Sequence, residues 1–122
     1  MTQKALVVGE IATPEQQANA VCPVAQTAEI ISGKWTLLII RDLTTGTKRF
    51  SELERSLAGI SPKTLSERLS SLEREEIVRR QTYAEVPPKV EYSLTEKGHD
   101  LVKVIDAMRE YGKRWLGCCP EH

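Results

Sequence analysis

The sequence predicts a mainly helical α+β fold, and three observations carry that prediction. Leu65, Leu69 and Leu72 recur at i, i+4 and i+7 behind Ser61-Pro62, a residue suited to capping a helix followed by one suited to its first position. Just upstream, a shorter amphipathic stretch ends on Ala58-Gly59-Ile60, a Gly-containing turn of the length that joins two helices into a helix-turn-helix. After Glu76 the hydrophobic period falls from 3.6 to 2, and two strand-like runs, Ile77–Tyr83 and Lys89–Leu94, flank Pro87-Pro88. Consecutive prolines cannot sit inside a sheet, so Ala84–Pro88 forms the tip of a hairpin. Two helices, a tight turn and a hairpin make a winged helix-turn-helix.

In chain order, residues 1–20 read as an N-terminal arm with a short helix opening at Thr13-Pro14-Glu15-Gln16, which has a capping-box pattern. Cys22-Pro23 breaks that helix, and Pro23 opens the next, with Ala25, Ala28 and Ile31 on one face. Ser32-Gly33 separates it from a third, which buries its Trp35/Leu38/Ile39 side and stops at Thr44–Thr47. Lys48-Arg49-Phe50 is too short for a free strand but long enough to add one edge pair to a sheet. Ser51-x-x-Glu54 is a second capping box, opening a helix with Phe50, Leu53 and Leu57 inward. The Ser61 helix follows, over 61–76, and the hairpin, or wing, over 83–92. Thr95 then caps a last helix expected to run unbroken to Leu116, about 33 Å at 1.5 Å per residue. Leu101, Val104, Ile105, Met108, Tyr111 and Trp115 keep a near-heptad spacing there. One small domain rarely needs so much apolar helix for itself, so part of it is expected to pack on a second subunit. Residues 117–122 form a cysteine-containing tail.

Composition narrows the function. A chain of 122 residues with 40% hydrophobic content fits one domain. The formal net charge is zero, but Lys34–Arg80 carries ten Lys/Arg against seven Asp/Glu, while residues 1–33 carry one Lys against three Glu. The longest apolar runs, Ala5–Val8 and Leu37–Ile40, are far short of the roughly 18 residues a membrane span requires. Three cysteines, an odd number, and an N-terminal apolar stretch, Ala5–Val8, that is too short for a secretory signal and is interrupted by Glu10 argue for a cytoplasmic protein rather than a disulfide-stapled secreted one. There is no Gly-rich phosphate loop, no G-x-S-x-G and no H-E-x-x-H, so no catalytic residue is assigned. His99 is expected to be solvated. Cys118, Cys119 and His122 lack standard ligand spacing, so neither a metal nor a cofactor is expected.

At about 100° per residue, the face of the Ser61 helix opposite its leucines holds Lys63, Glu67, Ser70 and Arg74, flanked by Thr64 and Ser71. Such a helix suits the major groove of double-stranded DNA, about 12 Å wide. Pro62, Lys63, Thr64, Glu67 and Arg68 fall at or beside base edges: Arg can address guanine bidentately and Glu can accept from a cytosine amino group. Ser61, Ser70 and Ser71 suit phosphates, as do Arg49 ahead of the preceding helix and Lys89 on the Pro-stiffened wing. The competing class is a winged-helix module that binds protein and no specific DNA. Steep salt dependence separates the two.

Several segments together resemble the HxlR family of bacterial regulators: Pro23-Val24, Ile31–Trp35, Arg49–Leu53, Gly59–Leu65 and Val86–Thr95. The resemblance spans residues 21–116. It implies a homodimeric winged helix-turn-helix transcription factor, repressor or activator, with dimer contacts from the first and last helices and a pseudo-palindromic operator. It also implies an oxidant or small-molecule effector in some members, sensed through a cysteine at the position of Cys22. A thiol at a helix N-terminus has its thiolate favoured by the helix dipole, although small buried cysteines are also common core fillers. Cys118 and Cys119 are possible secondary thiols. An adjacent-cysteine ring is strained, so pairing with Cys22 or with the partner subunit is expected over an internal ring.

Overall fold

The computed structural model describes residues 22–117. The helix expected at Thr13, and Cys118, Cys119 and His122, lie outside them. The chain divides at Gly33 into two units. The described part of the first is α1 (Pro23–Ile30), with Cys22 in the N-cap position and Pro23 at the first turn, as the sequence leads one to expect.

The second unit runs α2 (Lys34–Leu43), β1 (Lys48–Arg49), α3 (Phe50–Ser56), α4 (Pro62–Arg74), β2 (Val78–Tyr83), β3 (Lys89–Leu94), α5 (Glu96–His99) and α6 (Val102–Trp115). The three strands form one antiparallel sheet in the order β1-β3-β2. Helices α3 and α4 with their turn, followed by the β2–β3 hairpin, are the helix-turn-helix and its wing. Gly59 turns the chain between the helices at φ +99°, a conformation open to glycine at little cost. The edge pair at Lys48-Arg49 forms as expected, against Tyr92 and Glu91 of β3.

The core gathers Ile39, Ile40, Leu43, Leu53, Leu65, Leu69, Leu72, Ile77 and Val78, all under 2% exposed. At roughly 1.5–3 kcal/mol per buried aliphatic side chain, this cluster dominates the stability of the unit. The buried face of α2 is rotated from the expected one: Thr36, Ile39, Ile40 and Leu43 are buried, while Trp35 and Leu38 are half-exposed. Helix α2 is covered by α3, α4 and β3 on one side and by α6 on another, and this pulls Ile40 and Thr36 inward.

Three further local expectations shift. The α3 cap falls on Arg49, whose backbone N–H donates to Glu52 Oε1 at 2.8 Å, so Ser51 lies inside the helix. Helix α4 stops at Arg74 rather than at residue 76. Its end is a Schellman motif, with Ile77 N–H donating to Leu72 O at 2.9 Å and Glu76 N–H to Glu73 O at 3.0 Å. Glu76 occupies the left-handed position at φ +63°. The last helix is broken at Asp100-Leu101 into α5 and α6, with Leu101 N–H bonding to Gly98 O three residues back. Packing explains the break. Helix α5 is anchored against β3 and α6 against α2. A Cβ on Gly98 would collide with the Ile77 carbonyl oxygen, so the first turn is pressed onto the start of β2. One straight rod cannot meet both anchors.

Candidate nucleic-acid interface

Helix α4 buries Leu65, Leu69 and Leu72 and presents Pro62, Lys63, Glu67, Ser70 and Arg74 to solvent. Thr64, Arg68 and Ser71 occupy its half-buried flank. The first turn is held by its own hydroxyls: Ser61 Oγ accepts from Thr64 N–H at 3.1 Å and bonds Thr64 Oγ1 at 3.0 Å. That turn is therefore preorganised, but the Ser61 and Thr64 hydroxyls have internal partners. Its far end is tied down as well. Thr95 Oγ1 donates to Glu76 O at 2.6 Å and accepts from Gly98 N–H at 3.0 Å, and Lys97 Nζ donates to Glu75 O at 2.8 Å.

The remaining candidates come from the sheet. Arg49 is exposed on β1 at the mouth of α3. Lys89 opens β3 below the Ala84–Pro88 tip, and Val86 within that tip is 99% exposed. The Lys89 ammonium lies over the Tyr83 ring, 4.5 Å from its centroid, with Glu91 Oε2 at 3.7 Å and Glu85 Oε2 at 4.0 Å. Its charge is already compensated within the hairpin.

Other cations are not. The charged groups of Arg49, Lys63, Arg68, Arg74, Arg79 and Arg80 have no ion pair or hydrogen bond among the described residues. By contrast, Arg41 pairs with Asp42 and Arg109 with Asp106, both at 2.9 Å. Arg74 lies on the outer face of α4 that the helical period assigns, and Arg79 and Arg80 are not among the candidates read from the sequence. The available signal was a basic doublet inside a strand, which alternation sends to opposite faces of the sheet. Cys22 is a half-buried free thiol at the head of α1.

A second surface lies on α6, where Met108, Tyr111, Trp115 and Leu116 are 49–75% exposed. Beside it, Leu37, Leu38 and Arg41 of α2 and Ile105, Met108 and Arg109 of α6 line an apolar groove of about 200 Å³. Monomeric proteins rarely leave so many large apolar side chains together in water.

The sequence profile of HxlR-like helix-turn-helix proteins matches residues 30–119. The chain belongs to the HxlR family. Among its relatives, an uncharacterised HTH-type transcriptional regulator of Synechocystis sp. is 39% identical over 105 residues, 86% of this chain and 78% of that protein. The HTH-type regulator YdeP of Bacillus subtilis is 43% identical over 94 residues, 77% of this chain and 73% of that protein. Solved structures share the fold as well. The redox regulator HypR in its oxidised form superposes with a TM-score of 0.73 at 42% identity, covering 76% of this chain and 96% of HypR. The reduced form of the transcriptional regulator YodB from Bacillus subtilis gives 0.69 at 41% identity, covering 84% of this chain and 99% of YodB. This HxlR protein is thus a winged-helix transcriptional regulator, and the relatives named are regulators rather than enzymes. Among the described residues no helix is long and apolar enough to cross a membrane.

Proposed function

We propose that this HxlR protein binds a pseudo-palindromic DNA operator as a homodimer, with α4 in the major groove and the 83–92 wing on the flanking backbone. One observation carries the reading. The face of α4 opposite its buried leucines is polar and exposed, and uncompensated cations stand on and around it. Lys63, Glu67 and Arg68 are the base-reading candidates, with Pro62 and Thr64 shaping the leading turn; Ser61, Ser70, Ser71 and Arg49 serve phosphates. Lys89 shares its charge with Glu85 and Glu91, so it stiffens the wing, and it meets the backbone by exchanging these carboxylates for a phosphate. The exposed apolar face of α6 supports a dimer.

Cys22 is the proposed sensor of an oxidant or electrophile. It is a half-buried free thiol at the N-cap of α1, and the likeness to HypR, a redox regulator, supports the assignment. Selection of genomic fragments at low salt, with and without oxidant, tests both parts. The expected result is a discrete set of fragments whose affinity falls by a log–log slope of about −0.9 per phosphate contact as salt rises. Retention of no fragment, or binding without salt dependence, overturns the DNA reading.

A further inference from the structure

The outward face of α4 leaves one feature unexplained, a cleft between this helix and the sheet. Ser66, Ser70 and Glu73 line it from α4 and Arg80 and Tyr92 from the strands, with Leu69 contributing its only apolar wall, around about 350 Å³. Helical geometry sets the three α4 residues on one flank of the leucine stripe. Strand geometry sets Arg80 opposite them. Arg80 pairs in register with Tyr92, two residues from the Val78–Leu94 pair that enters the core, so alternation turns it to the face nearer α4. Its guanidinium has no ion pair or hydrogen bond among the described residues, even though Glu73 lines the same cleft. A guanidinium beside three hydroxyls, without a carboxylate partner, suits an anion supplied from outside.

We infer that Arg80, assisted by the hydroxyls of Ser66, Ser70 and Tyr92, clamps a backbone phosphate of the operator. The inference rests on the DNA reading above and adds a contact to it. With α4 in the major groove and the hairpin on the flanking backbone, the phosphate strand bordering that groove must cross between helix and hairpin, over this cleft. A guanidinium binds phosphate bidentately through fixed N–H donors, and neutral hydroxyls donate to the remaining oxygens. Glu73 lies two turns along α4 from Ser66, so the phosphate belongs at the serine end. The Glu73 carboxylate weakens the contact by repulsion.

The test uses the full-length protein and an operator fragment taken from the genomic selection, with circular dichroism confirming that each variant is folded. Arg80→Ala should weaken binding about tenfold, similarly on the operator and on single-base variants of it, and lower the salt slope by about one. Arg80→Lys should keep the slope while losing part of the affinity, and Glu73→Gln should tighten binding. Phosphate-ethylation interference should lose one position per half-site in Arg80→Ala. If Arg80→Ala binds with wild-type affinity and slope, the clamp is wrong while the DNA reading stands. A changed base preference would make Arg80 a base reader and equally overturn the phosphate assignment. Wild-type protein that retains no DNA at low salt overturns both.

Discussion

Replacing Glu76 by glycine should make this protein more stable. Glu76 sits at φ +63° in the left-handed position that closes the Schellman motif of α4. A non-glycine L-residue there costs roughly 1–2 kcal/mol, because its Cβ crowds the following carbonyl. Its side chain is exposed and makes no ion pair or hydrogen bond among the described residues, so truncation removes no contact seen there. The bonds that close the helix end are backbone ones and survive the change: Ile77 N–H to Leu72 O, Glu76 N–H to Glu73 O, and the Glu76 carbonyl to Thr95. Glycine loosens the unfolded chain, which takes back about 0.4–1 kcal/mol. The net expectation is a gain of about 0.5–1 kcal/mol. For a domain of this size that corresponds to roughly 2–4 °C in melting temperature. Urea unfolding followed by circular dichroism, at one fixed protein concentration, should show a raised midpoint with an unchanged m-value. Glu76→Ala is the control: it removes the same charge but keeps the Cβ, so it should not share the gain. If the alanine variant is stabilised as much as the glycine one, charge and not backbone strain is responsible.

Gly98→Ala should act in the opposite direction. The added Cβ meets the Ile77 carbonyl, a backbone atom that cannot rotate away, so a loss of about 3 kcal/mol or more is expected by urea titration. Thr95→Ala removes both the α5 cap and the bond to Glu76 O and should destabilise by about 1–2 kcal/mol, while Thr95→Ser recovers most of it. Cys22→Ser should leave operator affinity unchanged in reducing buffer and abolish any oxidant response in a gel-shift titration. A response that survives the substitution moves sensing to Cys118 and Cys119.

Much of this protein was legible from local signals. The Ser61 cap, Pro62 and the Leu65/Leu69/Leu72 stripe specify α4 through interactions that span only a few residues. Gly59 marks the turn before it, and Pro87-Pro88 with the Val90/Tyr92/Leu94 alternation marks the wing. Each is a short-range preference that needs no knowledge of the rest of the chain. The outer face of α4 was legible for the same reason: once the buried stripe is known, the helical period assigns the opposite side. The DNA-contacting roles proposed for Arg49, Lys63, Glu67, Arg68 and Lys89 rest on residue type and position.

Long-range packing decided the rest. Neighbours on two sides of α2 chose Ile40 and Thr36 over Trp35 and Leu38 for burial, a choice the apolar pattern leaves open. The break between α5 and α6 exists because Gly98 must lie on the Ile77 carbonyl while Ile105 enters the core beside α2, and no residue near Asp100 announces it. Glu76 carries no local signal for its left-handed backbone; the need for Ile77 to follow Leu72 into the core imposes it. Which cations find partners was likewise settled only in three dimensions. Lys89 met two carboxylates and a tyrosine ring in its own hairpin, and Arg80 met none, because pairing depends on distances between side chains that sequence separation does not set.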